Sequence, residues 1–120
     1  MAYLDQFLNV VVANGGSDLH IGEGQPPKMR RHGDVAPIRA EPVSREEALT
    51  MLSEVCGPRS WEIFEERGDF DFAYEMDASS RFRCNYLKQA NGYGATGDLD
   101  KEFSRGHSAI EFPSDPGNPR

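Results

Sequence analysis

Two neighbouring segments near the middle of the chain constrain its fold more than any other feature. Apolar side chains occupy every second position of residues 70–76, and again within residues 81–88. A period of two is typical of half-buried β-strands, because successive side chains of a strand point to opposite faces. The turn between the segments is too short for a parallel crossover, so we predict an antiparallel hairpin. The apolar side chains assigned to its inner face are Phe70, Phe72, Tyr74, Met76, Phe82, Cys84 and Tyr86.

The rest of the chain predicts three helices and three shorter strands. Residues 2–13 carry apolar side chains at helical spacing, a capping box at Ser44 begins a second helix, and residues 59–67 form a third. Strands are predicted at 17–21, 28–32 and 35–39, and Pro37 places the last of these at a sheet edge. Helices grouped beside antiparallel strands indicate an α+β fold, with a mainly antiparallel sheet and helices packed on one side.

Composition excludes several classes of function. A chain of 120 residues is expected to form one domain, and its net charge of −7 argues against nucleic-acid binding, which needs a basic face. No apolar run reaches the roughly 18 residues of a membrane span, and no signal peptide is recognisable, so we expect a cytoplasmic protein without membrane insertion. Cys56 and Cys84 match neither zinc-ligand nor redox spacing.

The character of the sequence changes after Ala95. Residues 96–120 contain little apolar periodicity and many Gly, Ser, Pro, Asp and Glu residues. Such composition is typical of linkers and tails. We therefore predict a folded domain over residues 1–95 and a polar, Gly/Pro-rich tail over residues 96–120, which is either a linker or a segment not native to the domain.

Four short motifs in a fixed order carry a resemblance to a known family. The motifs are Gly16-Ser17-Asp18-Leu19-His20, Pro26-Pro27 with Gly33-Asp34-Val35, Phe64-Glu65-Glu66 with Asp69-Phe70-Asp71-Phe72, and Arg81-Phe82-Arg83-Cys84-Asn85 with Asn91-Gly92-Tyr93-Gly94-Ala95. With these motifs, residues 3–95 resemble the N-terminal PAS-like domain of PilT-type pilus retraction ATPases, in the secretion ATPase superfamily.

The resemblance implies a role in a larger machine. In the family, six subunits form a ring, each N-terminal domain packs against the RecA-like ATPase core of an adjacent subunit, and ATP with Mg drives pilus retraction and twitching motility. The family works with the pilus base machinery, at the cytoplasmic face of the inner membrane. This chain has no G-x-x-x-x-G-K-[S/T] loop to hold phosphates, so we expect no cofactor and no ATP hydrolysis in the chain by itself.

The resemblance also implies roles for particular residues. Arg81 and Arg83 would reach nucleotide held by the ATPase core, and a guanidinium group suits phosphate oxygens well. The simpler interpretation is that both arginines pair across the hairpin with Asp71 and Glu75. No residue of this chain is assigned a catalytic role.

Two further clusters have a structural and a functional interpretation each. The basic run Lys28, Arg30 and Arg31 is either a solvated sheet edge or an interface for an acidic partner. The family motif that includes Asp18 and His20 is interpreted as structural, with hydrogen bonds to nearby backbone, although the same pair could begin a metal site. A third convergent ligand is missing, so we predict no metal. The remaining residues of the structural set are Ser17 and Gly33.

Two alternatives remain open at this stage. A free-standing PAS-like binding or adaptor module would use the aromatic hairpin residues to line a ligand pocket, whereas a packed core explains the same pattern.

In the family, a hydrophobic strand carrying an arginine follows the last motif, and residues 96–100 do not resemble it. We therefore expect no strand there, which would leave a sheet edge unpaired and open to homodimer formation.

Overall fold

The computed structural model describes residues 2–103, which form an α+β domain with a six-stranded antiparallel sheet. The spatial order of the strands is β3-β2-β1-β6-β5-β4, and every pairing is antiparallel. The predicted fold class is confirmed. The elements are α1 (Asp5–Ala13), β1 (Asp18–Gly22), β2 (Lys28–Arg31), β3 (Asp34–Pro37), α2 (Arg45–Cys56), α3 (Pro58–Arg67), β4 (Asp69–Asp77), β5 (Ser80–Gln89) and β6 (Gly92–Leu99).

Local sequence signals begin and end these elements. The Ser44 side chain accepts a hydrogen bond from the Glu47 backbone N–H at 3.1 Å, which satisfies one free donor in the first turn of α2. Gly68 ends α3 with φ 88°, a conformation that glycine adopts without steric cost. Gly33, at φ 84°, makes the tight turn between β2 and β3.

One hydrophobic core lies between the three helices and one face of the sheet. Leu8 from α1, Leu52 from α2 and Phe64 from α3 are completely buried, and they belong to the same cluster as Phe82 and Tyr86 from β5. The Tyr86 hydroxyl donates a hydrogen bond of 2.8 Å to the Leu52 carbonyl oxygen, so its one polar group is satisfied inside the core. Burial raises the pKa of Tyr86 well above its ordinary value.

The aromatic hairpin residues pack as a core rather than around a ligand. Phe72 and Tyr86 meet edge to face, with ring centroids 5.1 Å apart. The void beside Leu19 and Tyr86, on the helix side of the sheet, has a volume of about 10 Å³. This is no more than one water molecule requires. The inner faces of the hairpin strands therefore contribute packing, as strand alternation predicts.

The prediction that residues 96–99 form no strand is wrong. They complete β6, which lies in the middle of the sheet and pairs with β1 on one side and β5 on the other. Its pattern is hard to recognise because Gly97, which faces the core, carries no side chain: a Cβ there would lie 3.6 Å from Leu8 Cδ2. Thr96 and Asp98 face the other side of the sheet. The part of the predicted tail from residue 104 on lies outside the described residues.

The same correction changes where the sheet ends. The strand that we expected to be missing is present, so the two edges are β3 and β4. β3 is an edge strand, as Pro37 predicts. The proposed homodimer through an edge left open by a missing strand has therefore lost its structural basis. Within residues 2–103, no helix is long and apolar enough to cross a membrane.

Candidate docking face of the sheet

The face of the sheet opposite the helices gathers most of the residues singled out by sequence. Side chains of directly opposed residues in antiparallel strands point to the same face. Strand register therefore aligns two transverse rows on this side, which we call the helix-free face. The first row is Arg30, Asp18, Asp98 and Arg83, and the second is Lys28, His20, Thr96 and Asn85.

Asp18 is the centre of a hydrogen-bond network on this face. Its carboxylate accepts a 2.5 Å hydrogen bond from Ser17 Oγ, contacts His20 Nε2, and lies 3.4 Å from Arg30 Nε. Burial by itself would raise the pKa of Asp18, but the hydrogen bonds from Ser17, His20 and Arg30 outweigh it and lower the pKa. The Asp18 carboxylate therefore bonds to other side chains, whereas the sequence analysis predicted hydrogen bonds to nearby backbone.

The Asp18 network does not resemble a catalytic or metal centre. The carboxylate lies between the hydroxyl and the imidazole, whereas nucleophilic catalysis needs the imidazole next to the hydroxyl. Across residues 2–103, no three side chains of His, Cys, Asp or Glu converge as metal ligands. Ser17 and Asp18 contact Arg30 across β1 and β2, and His20 contacts Asp18 within β1, so the structural interpretation of the motif stays a prediction.

Arg83 is exposed on the helix-free face and has no side-chain partner within the described part of the chain. Asp98 lies opposite it on β6 and Ala73 opposite it on β4. The predicted cross-strand ion pairs with Asp71 and Glu75 do not form among residues 2–103. Asp71 instead accepts a 2.5 Å hydrogen bond from Asn85 Nδ2.

Arg81 lies in a more enclosed position than Arg83. Its guanidinium carbon lies 5.4 Å from the centroid of the Phe103 ring, and its Nε is buried without a hydrogen-bond partner. The Asp100 backbone N–H donates to the Arg81 carbonyl oxygen at 2.8 Å, which holds the turn after β6 against this residue. Together the two arginines line a cleft of about 480 Å³, which also contains Asp71, Asp98 and Asp100.

The structure divides the basic run between the two sides of β2. Lys28 and Arg30 lie on the helix-free face, where Lys28 Nζ donates to Gln25 Oε1 at 2.7 Å and Arg30 contacts Asp18. Arg31 points to the other side and is exposed. Because β2 lies between β3 and β1, the run is not at a sheet edge, and the solvated-edge interpretation is wrong in that respect. The interface for an acidic partner stays a prediction.

Comparison with known proteins identifies the family. No known protein-family model matches the chain. The chain is 32% identical over 92 residues to the type IV pilus retraction ATPase PilT of Pseudomonas aeruginosa, and 32% identical over 90 residues to the type IV pilus ATPase PilU of the same organism. These matches cover 77% and 75% of the chain. The chain is related to the N-terminal domain of PilT-type secretion ATPases.

Solved structures of PilT-type proteins share the fold. The ADP-bound pilus retraction motor PilT superposes with a TM-score of 0.69 at 24% identity over 82% of the chain. The Legionella pneumophila ATPase DotB superposes with a TM-score of 0.70 at 20% identity over 81% of the chain. The chain spans 27% of the length of PilT and 24% of that of PilU, so it matches about a quarter of these curated relatives.

Some features of the helix-free face escaped sequence reasoning. Asp98 and Thr96 were assigned to the tail, although PilT-type proteins were expected to have a strand there. Gly22 and Gly94, which face each other across β1 and β6, form the floor of a depression of about 290 Å³. The alternation of Gly92, Tyr93 and Gly94 is a signal for this strand, because an aromatic residue between two residues without side chains suits a position that faces the core, where Tyr93 is buried.

Proposed function

We propose that this chain is the N-terminal assembly and coupling domain of a PilT-like pilus retraction motor, without the ATP-hydrolysing core. In this proposal the helix-free face docks on the RecA-like ATPase core of an adjacent subunit. The core holds ATP and Mg, and the chain transmits the effect of nucleotide turnover to its neighbour. The machine would be located at the pilus base, on the cytoplasmic side of the membrane.

The observation that carries the proposal is the state of Arg83. An exposed guanidinium without a partner among the described residues is free to bind an incoming anion, and its five donors suit phosphate oxygens. The helices occupy the other face of the sheet, so a partner can approach Arg83 without displacing any described element. The relation to PilT, whose solved structure contains ADP, makes nucleotide on a partner core the natural ligand.

Asp98 influences which anions Arg83 can bind. It lies beside Arg83 without forming an ion pair, so the arginine keeps its donors while the neighbouring carboxylate repels surplus negative charge. A phosphate of a Mg-bound nucleotide carries less net charge than a free one and is therefore better tolerated. Arg81, covered by Phe103, would contribute only after the turn at residues 100–103 moves.

The alternative function, a free-standing PAS-like binding or adaptor module, lacks a ligand chamber on the helix side of the described residues. Sensory domains of this class bind small ligands in an internal cavity, and the void of about 10 Å³ here is too small for any of them. An adaptor that acts through the helix-free face would share the docking surface of the motor proposal. It would differ in binding a partner that hydrolyses no ATP.

Competition with an intact motor tests the proposal. The complete 120-residue chain is added in excess to full-length P. aeruginosa PilT while ATP turnover is measured. If the chain docks on the ATPase core, it displaces the motor's own N-terminal domain, and turnover falls as the chain is titrated. At equal occupancy the Arg83→Ala variant should lower turnover further, because it displaces the motor's own domain without supplying a guanidinium group to the nucleotide. Arg59→Ala, an exposed arginine on α3, serves as the matched control. Unchanged turnover, with no association in sedimentation, would contradict the proposal.

A further inference from the structure

Neither the backbone conformation nor the packing around positions 22 and 94 requires glycine. Neither Gly22 nor Gly94 has a positive φ, in contrast to Gly92 at φ 123°. A Cβ added at Gly22 would come no closer than 3.8 Å to its nearest neighbour, Gln25 Cγ, and one at Gly94 would lie 3.4 Å from the Ile21 carbonyl oxygen. Glycine inside a strand weakens it, and such a residue often marks a close approach by a ligand or another chain.

The two glycines are also neighbours in space. They are directly opposed in the β1–β6 ladder, and Gly94 is directly opposed to Leu87 on β5. All three positions face the helix-free side. The result is a flat floor of bare backbone across two strands, and this floor is the bottom of the 290 Å³ depression.

The walls of the depression define the chemistry of its occupant. Leu87, with 37% of its surface exposed, contributes an apolar side, and the His20 ring lies on the lining as well. Thr96, Gln89 and Asn91 add hydroxyl and amide groups that have no hydrogen-bond partner within the described part of the chain. These groups can both donate and accept hydrogen bonds.

Charge excludes an anionic occupant. No lysine or arginine lines the depression, and its one carboxylate, Glu23, already accepts a 3.0 Å hydrogen bond from the Tyr93 N–H and faces Arg45 at 3.7 Å. A neutral, flat group with a polar tip therefore complements the site. The volume of about 290 Å³ is at the lower limit for ligand pockets, which begin at about 300 Å³, and it is sufficient for a single large side chain.

We infer that the depression over Gly22 and Gly94 receives one aromatic side chain with a polar tip, tyrosine or tryptophan, from the surface of the partner ATPase core. This inference rests on the proposed function, and it identifies the point on the helix-free face where docking is anchored. Aromatic anchors in fitted pockets dominate the binding energy of many interfaces, and their polar tips bind groups at the pocket rim.

The test fills the depression and measures docking. The complete chain, labelled with a fluorophore at its N-terminal amine, is titrated with full-length P. aeruginosa PilT, and Kd is read from anisotropy. Gly22→Val places a branched side chain over the floor, where the nearest atom is the flexible Gln25 side chain. Ala36→Val is the matched control, because it puts the same branched side chain at an exposed strand position, on β3 opposite Met29 and away from the helix-free face.

We expect Gly22→Val to raise Kd about tenfold or more, Gly94→Ala to raise it less, and Ala36→Val to leave it within about twofold. A thermal unfolding midpoint at or above that of the unmodified chain confirms that each variant is folded. If the unmodified chain binds and Gly22→Val binds equally well, the inference is wrong while the proposed function stands. If the unmodified chain does not bind, both are wrong.

Discussion

Glu47, in the first turn of α2, accepts two hydrogen bonds from the guanidinium group of Arg39, at 2.6 and 2.8 Å. The Tyr3 hydroxyl donates a third, at 2.6 Å. This carboxylate therefore ties the segment after β3 and the residues before α1 to the same helix. Because both side chains of the ion pair are largely shielded from solvent, the contact contributes more than an exposed pair would.

The pair predicts a defined loss of stability in acid. The Arg39 hydrogen bonds, opposed by burial and aided by Tyr3, lower the pKa of Glu47 below its ordinary value of 4.5. Its stabilisation is therefore present above about pH 4.5 and is lost as pH falls through the lowered folded-state pKa. Glu47→Gln should reduce the free energy of unfolding at pH 7 by about 1–3 kcal/mol and flatten its decline in acid. Denaturant titration at several pH values measures this, with the exposed neighbour Glu46→Gln as control. Equal losses in the two variants would contradict it.

Two glycine substitutions should change stability in opposite directions. Gly22→Ala should stabilise the isolated chain by about 0.5–1 kcal/mol, because alanine in a strand costs less conformational entropy and the Cβ has room. Gly92→Ala should destabilise it, because φ is 123° and the added Cβ would lie 2.4 Å from Glu23 Oε1. Urea unfolding of both variants checks the prediction. A loss of stability in Gly22→Ala would mean that the glycine serves the fold after all.

Cys84 should be almost unreactive in the folded protein. Burial, with a smaller effect of Asp98, raises the pKa of its thiol to about 12. The thiolate is the reactive form, so at pH 8 modification should be at least about a thousandfold slower than in the unfolded chain. Mass spectrometry after timed alkylation, native and in denaturant, measures both rates. Cys56, which is only half buried, is the internal comparison. Rapid native labelling of Cys84 would show that β5 opens readily.

Arg83 should affect turnover without affecting folding. In a chimaeric motor in which residues 2–99 of this chain replace the matching region of P. aeruginosa PilT, Arg83→Ala should lower kcat about tenfold or more. An arginine that meets the transferred phosphoryl group contributes at least that much. The thermal midpoint should stay unchanged, because Arg83 has no partner among the described residues. The control Arg59→Ala should change neither quantity, and an unaffected kcat in Arg83→Ala would remove the residue from the nucleotide site.

Local patterns in the sequence were sufficient for much of the fold. The hairpin of β4 and β5 follows from side-chain alternation and a short turn, α2 begins at the predicted Ser44, and Pro37 correctly indicates an edge strand. Each of these depends on residues within a few positions of one another. The relation to PilT-type proteins was also recognisable from short motifs in their order. The nucleotide contacts of Arg81 and Arg83, and the division of the chain after Ala95, stay predictions.

Only the tertiary structure determines which strands lie in the middle of the sheet and which residues meet on its helix-free face. β6 was missed because Gly97, at the core-facing position between Ala95 and Leu99, carries no side chain and so interrupts the hydrophobic period of the strand. Its two neighbours, β1 and β5, supply the pairing that makes it a strand. The same pairing brings Asp18, Asp98 and Arg83 into one row, and Gly22 against Gly94. Such contacts join residues far apart in the chain, and the register of backbone hydrogen bonds, rather than any local preference, determines them.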